Sequence, residues 1–162
     1  MTIKIRSLAT AIITAVTFMG TVALAEEPVL LTVTGADGAE IKTYDLAALE
    51  ALGATTFDTT TIWTEGKQSF TGVSLETLFK DIGATEGEVN AVAINNYSVP
   101  IPVTDAVEGG PILAYLANGA PMSLRDKGPL WVVYPYDSKA DYQSETIYSR
   151  SIWQLDRLQL TK

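Results

Sequence analysis

The chain contains no cysteine and no histidine. That absence limits both what can hold the fold together and what the fold can do. Without disulfides, a domain of this length rests on its hydrophobic core alone. Without thiol or imidazole, no Ser-His-Asp or Cys-His nucleophile system can be built. A zinc site based on either ligand is excluded as well. Oxygen ligands for calcium or magnesium remain, but no Asp-rich loop has EF-hand spacing. The acid–base candidates left are carboxylates, Lys and Tyr.

The lack of disulfides matters because the chain begins like an exported one. Lys4 and Arg6 precede an apolar run from Leu8 to Leu24, which closes on Ala23-Leu24-Ala25. Acidic Glu26-Glu27 and then Pro28 follow. A basic start, an apolar middle and small residues before a cleavage point predict a secretory signal over residues 1–25. The alternative is a membrane anchor. The run is short for a span of ~20 residues, and Thr14, Thr17, Gly20 and Thr21 interrupt it. The expectation is therefore a periplasmic domain over residues 26–162. Cleavage removes two of the 11 basic residues and none of the 19 acids, leaving a formal charge of −10. Such acidity argues against nucleic acid and anionic membranes, which basic patches bind. It suits a basic protein partner or plain solubility.

Strand and helix signals alternate along this domain. Val29–Thr34 reads as a strand, Gly35–Gly38 as a hairpin turn and Ala39–Tyr44 as the return strand. Asp45 reads as the cap of a short helix that Gly53 stops. Phe57–Trp63 reads as extended, and Glu65-Gly66-Lys67 as a turn. Ser74 caps the clearest helix, with Leu75, Leu78, Phe79 and Ile82 at helical spacing before Gly83. Val89–Ile94 is a strand candidate, Asn95-Asn96 a turn, and Tyr97–Val103 an edge carrying Pro100 and Pro102. Thr104-Asp105 reads as a cap for one helical turn. Ile112–Leu116 fits a strand or a short helix, before a turn at Asn118-Gly119. Leu130–Tyr134 is a buried-strand pattern, and Pro135–Tyr142 a loop. Gln143–Arg150 is a short helix, and Ile152–Leu160 the last strand. The sum is one α+β domain, with strands dominant and a few short helices.

Three segments together carry a family resemblance. The first runs Phe70-Thr71-Gly72-Val73-Ser74-Leu75 to Phe79, with Ile82-Gly83-Ala84 after it. The second is Ala93-Ile94-Asn95-Asn96-Tyr97-Ser98-Val99-Pro100-Ile101-Pro102. The third runs from Asn118-Gly119-Ala120-Pro121 through Arg125-Asp126-Lys127-Gly128-Pro129 to Trp131. In this order the chain resembles the sulfite-oxidase-type molybdopterin-binding domain, in its small exported form. The resemblance implies a mixed, barrel-like sheet core and a pterin-shaped pocket. It also implies a cysteine thiolate on molybdenum, from the segment before the F-x-G-V motif. Here that segment is Thr59-Thr60-Thr61-Ile62-Trp63-Thr64. A Thr hydroxyl is a hard, protonated ligand, a poor substitute for a soft thiolate. The chain is similar to a Cys-less subgroup of periplasmic pterin-binding proteins. What that implies is a non-catalytic protein, with pterin as ligand and no molybdenum, reporting to a membrane-bound cyclic-di-GMP regulator. The alternatives are an oxidoreductase with unusual metal ligation and a scaffold that has lost its ligand.

A pterin site calls for an aromatic face, a carboxylate for the donor edge and a cation or amide for the oxygen. Trp63 is the candidate stacking face, or else a core Trp at a strand end. Asn95 and Tyr97, with Asn96 between them, offer donors and acceptors at a strand-to-loop junction, or simply cap a turn. Arg125, Asp126 and Lys127 form the sharpest cluster: a fork, an acceptor and a point charge. The plainer reading is a solvated turn before Gly128-Pro129. Tyr134 and Tyr136, with Asp137 and Tyr142, flank a long loop and read as a pocket mouth. Arg150 and Trp153 follow the same logic. Met122 and Trp131 read as core.

Overall fold

Asp45 and Ser74 each end a strand and begin a helix. Asp45 accepts a hydrogen bond from the amide of Ala48 (2.7 Å) and starts α1, Leu46–Ala51. Ser74 accepts from the amide of Thr77 (3.1 Å) and starts α2, Leu75–Asp81. Both satisfy amides that a helix start leaves unpaired. The second helix turns Leu75, Leu78 and Phe79 into the core, and Gly83 follows it at positive φ.

The computed structural model describes residues 27–161, so the expected signal over residues 1–25 lies outside the described residues. Ten strands form two sheets. The first is ordered β2 (Glu40–Tyr44), β1 (Leu31–Thr34), β10 (Leu155–Leu160), β5 (Glu88–Ala93) and β6 (Ser98–Pro102). β1 and β10 run parallel; the other pairs are antiparallel. In the second sheet β3 (Thr55–Thr60) pairs with β4 (Lys67–Ser74), and β4 with β7 (Ile112–Ala117). β7 then pairs with β8 (Ala120–Pro121) near one end and β9 (Trp131–Val133) near the other. Ile112 thus starts a strand, not a short helix. A last helix, α3 (Glu145–Arg150), precedes β10. Among the described residues no helix is long and apolar enough to cross a membrane.

The sheets do not close into a barrel; they are seamed at one corner. Trp131 forms a strand bridge with Trp153. Beside it, Val132 donates to Ile152 (2.9 Å) and Leu155 to Leu130 (3.1 Å). The F-x-G-V motif supports this corner. A Cβ on Gly72 would lie 2.1 Å from the carbonyl oxygen of Leu113, so β4 can approach β7 only through glycine. Phe70 then meets Trp131 edge-on at 5.3 Å.

The core is continuous, and β9 is buried along its length. Fully burying each large aliphatic or aromatic side chain contributes about 1.5–3 kcal/mol, which replaces the missing disulfides. The turn at Val103–Asp105 has no side-chain cap, contrary to the reading of Thr104-Asp105. Asp105 instead accepts from the Tyr134 hydroxyl (2.7 Å) and from Arg150 Nη1 (2.9 Å). Arg150 is therefore a structural ion pair.

Candidate functional site

β3 ends at Thr60 because Asp137 takes over its hydrogen bonds. The Asp137 carboxylate accepts from the Thr60 amide (2.8 Å) and from the Thr60 hydroxyl. These bonds, the hydroxyl first, hold the Asp137 carboxyl below the usual carboxylate range. Next, Thr61 Oγ1 accepts from the amides of Trp63 (3.1 Å) and Thr64 (3.0 Å) and shares a hydrogen bond with Thr64 Oγ1. This turn sets the half-buried indole of Trp63 at the seam. Trp63 meets four rings edge-on: Trp131 at 5.9 Å, Tyr136 at 6.2 Å, Tyr148 at 5.7 Å and Trp153 at 5.5 Å. Edge-to-face pairs add about 0.5–1.5 kcal/mol each beyond the area they bury.

Trp63 is a wall of two cavities. The smaller, about 280 Å³, is also walled by Tyr97, Tyr148 and Trp153, with Asn95, Gln154, Ser149 and Ser151 as polar members. None of its lining side chains is charged. The larger, about 440 Å³, has Phe70, Met122 and Trp131 as apolar walls and Gln68, Asn118, Arg125, Asp126 and Lys127 as polar ones.

The loop carrying the charged triplet is folded tightly on itself. A Cβ on Gly128 would lie 1.8 Å from the carbonyl oxygen of Met122. Gly128 donates to the Ser123 carbonyl (2.7 Å), and the Ser123 hydroxyl donates to Asp126 Oδ2 (2.7 Å). Lys127 stands at φ 71° and Gln154 at φ 52°, a region costly for residues other than glycine. The two are tied together, since the Gln154 amide donates to the Lys127 carbonyl (3.1 Å). Gln154 Nε2 also donates to the Leu124 carbonyl (2.7 Å). This geometry carries the Lys127 ammonium over the rings of Trp131 (5.6 Å) and Trp153 (5.4 Å).

The structure brings seven of the residues singled out from the sequence to this region, Trp153 in the smaller cavity among them. Trp63, Asn95 and Tyr97 line the smaller cavity; Trp63, Arg125, Asp126 and Lys127 line the larger. Tyr134 and Tyr136 lie elsewhere and line neither cavity. Both are buried, and the Tyr136 hydroxyl donates to Ser151 Oγ (2.6 Å). Burial pushes both phenols above the usual tyrosine range, and the Asp105 carboxylate raises Tyr134 further. Tyr136 supports Trp63 from behind. Tyr142 is buried too, beneath the Lys139 ammonium (4.0 Å). Trp63 lies past the end of β3, so it is neither strand nor full core. Four lining residues lacked a usable signal: Tyr148, Gln154, Gln68 and Asn118. Tyr148 follows the buried Ile147 on α3, and that aromatic beside a helix's apolar face was the one available hint.

These sheets and helices define a sulfite-oxidase-like α+β fold with an aromatic site at its seam. The family model described as "Oxidoreductase molybdopterin binding domain" matches residues 22–139, and the chain belongs to that family. Among solved structures, the sulfane dehydrogenase SoxCD from Paracoccus pantotrophus has a similar fold, at TM-score 0.60 and 17% identity. The alignment covers 88% of this chain and 41% of that one, so this chain spans well under half of it. No curated protein matches in sequence.

The family's cofactor joins a metal to a pterin, and the residues here fit the two parts differently. The segment expected to bring a thiolate offers Thr61 and Thr64, whose hydroxyls hold their own turn. Among the described residues no cluster of three or more Asp, Glu, His or Cys side chains could hold a metal ion. A thiolate for molybdenum is not among the donors. A flat ring with polar edges does fit: Trp63 and Trp153 offer faces, Asn95 and Gln154 amides, and Arg125, Asp126 and Lys127 charges.

Proposed function

We propose that this chain is a non-catalytic pterin-binding protein of the periplasm. One observation carries the reading: an aromatic site built on Trp63 stands beside a turn of hydrogen-bonded threonines, in the segment where the resemblance implies a metal thiolate. Trp63 and Trp153 bind the ring, and the amides of Asn95 and Gln154 orient its edge. The surrounding rings keep water from its faces. When bound, the pterin supplies only its shape and hydrogen-bonding edge, and no proton or electron is moved. In the same reading, occupancy is passed to the periplasmic part of a membrane-bound regulator of cyclic-di-GMP. The resemblance to the Cys-less subgroup supports that relay, and the acidity of the chain agrees with a basic partner surface.

Calorimetric titration with a panel of oxidised and reduced pterins tests the binding. Saturable binding is expected, with Trp63→Ala losing about tenfold in affinity or more, a ring-stacking loss of roughly 1.4 kcal/mol. No binding across the panel would overturn the proposal. So would stoichiometric molybdenum in protein matured in an exporting host, which would favour an oxidoreductase.

A further inference from the structure

We propose that the partner docks on the open edge of β3, by adding an extended segment that carries a Lys or Arg opposite Asp58. The inference rests on the relay to a partner protein proposed above and names the surface that relay uses.

An unpaired sheet edge can pair with any passing strand, and proteins block such edges with proline, bulges, charge or brevity. At the ends of the two sheets, three of the four strands are blocked. Beside β6, the Tyr97 carbonyl accepts from Ala93 (2.9 Å) and the Val103 amide donates to Gly87 (2.9 Å), so both face β5. By alternation Ser98, Pro100 and Pro102 face outward, and two of these three have no amide hydrogen. β2 is bulged against β1 and carries Glu40 and Lys42. β8 is two residues long and ends in Pro121.

β3 differs from all three. Its six residues keep unbroken antiparallel register with β4 and include no proline or glycine. Four are threonine and one is phenylalanine, both strand formers. Two sets of hydrogen bonds fix which way its backbone faces. The Thr60 amide turns away from β4, to Asp137 (2.8 Å). Ser69, opposite Asp58, turns both its backbone groups away from β3. Its amide donates to Asn118 Oδ1 (3.0 Å), and its carbonyl accepts from the Asn118 amide (2.7 Å). By alternation the amides and carbonyls of Thr56 and Asp58 point out of the sheet edge. Both residues are exposed, and among the described residues no strand lies beyond them.

The occupant is a segment of another protein, not a second copy of this chain. Asp58 is the one charge on β3. Two β3 strands side by side would bring two such carboxylates together in an already acidic chain, which disfavours the pair. A Lys or Arg opposite Asp58 reverses that sign. Backbone pairing then supplies affinity, and the charge selects the partner. The same strand ends in the Asp137 bonds that lead into the Trp63 turn, so a segment held on β3 adjoins the element that shapes both cavities.

The test measures cyclic-di-GMP in the exporting host, with its own copy of the chain deleted and then restored as variants. Deletion should change the level, and the wild type should restore it. Thr56→Pro removes an outward amide without removing a backbone bond to β4, and should leave the level as in the deletion. Thr56→Ala loses only the hydroxyl bond to Thr71 (2.8 Å) and should behave as wild type. Asp58→Lys should reduce the response by about half or more. Thr56→Pro should keep the wild-type affinity for hydroxymethylpterin; should that affinity fall, Asp58→Lys, at an exposed side chain, decides in its place. A full response from a folded Thr56→Pro would overturn the docking edge and leave the pterin and relay readings standing. An equal loss in Thr56→Ala would also overturn it. A full response from Asp58→Lys would overturn the basic occupant. So would a wild-type dimer in sedimentation that Thr56→Pro makes monomeric. No change in cyclic-di-GMP on deletion would overturn both the relay and this surface.

Discussion

The two cavities beside Trp63 are assembled from different kinds of structure. The smaller draws on the turn between β5 and β6, on α3, and on the stretch before β10. Its shape follows from how the sheets meet. The larger draws on β4, on the turn between β7 and β8, and on the loop from Met122 to Lys127. Its shape follows from local turns and one close backbone approach. One indole therefore serves an uncharged aromatic chamber set by tertiary packing and a charged one set by loop geometry. Perturbations should separate them.

Gly128→Ala should separate them most strongly. The added methyl meets backbone, not a flexible side chain, so the loop must move. We expect about 3 kcal/mol lost in urea unfolding, at the upper end for overpacking. The Lys127 ammonium, next to the displaced residue, should also leave its place over Trp131 and Trp153, seen as a change in tryptophan emission. Unchanged stability would mean the loop is not pinned as described.

Acid should act on both cavities together. The Asp137 carboxyl is held below its usual range, so its contribution is present above the unfolded value of about 4. It is lost as pH falls through the lower folded value. Losing it releases Thr60 and the turn that sets Trp63. Asp137→Asn should remove part of the acid dependence of unfolding between about pH 5 and pH 2. The part due to Asp81, also lowered, by Lys42 first and then Tyr44, should remain. An unchanged pH profile in Asp137→Asn would detach this carboxylate from the site.

Tyr97→Ala should act least, and on one side alone. Tyr97 is 54% exposed, so stability should change by no more than about 0.5 kcal/mol. Hydroxymethylpterin should bind about threefold to tenfold more weakly, the loss of one aromatic contact. Unchanged affinity would remove Tyr97 from the ring site.

Much of this architecture was legible because it is encoded locally. Asp45 and Ser74 announce their helices by capping chemistry within three residues, and both caps form. The glycine of the F-x-G-V motif lets β4 approach β7, and the charged triplet forms a turn before Gly128-Pro129, as its plainer reading has it. What was not legible depends on partners distant in sequence. Tyr134 and Tyr136 flank Pro135 in a loop-like stretch and so read as a pocket mouth. Their hydroxyls are claimed by Asp105 and Ser151, 29 and 15 positions away, and they become core. Tyr148 becomes a wall only through its contact with Trp63 across the seam. Trp153 gains its place from a strand bridge to Trp131 that no local pattern announces. The division into two cavities is of the same kind, since Trp63 belongs to both.

The clustering at the seam has one more consequence. All three tryptophans of the chain lie in it, with ring centres 5.5 to 6.4 Å apart. The protein's ultraviolet emission therefore originates in one place, and the seven tyrosines act as antennae that pass excitation to it. A chromophore entering either chamber would dim the whole spectrum at once. The molecule is thus its own optical gauge, reporting occupancy without a label and without background from a tryptophan elsewhere.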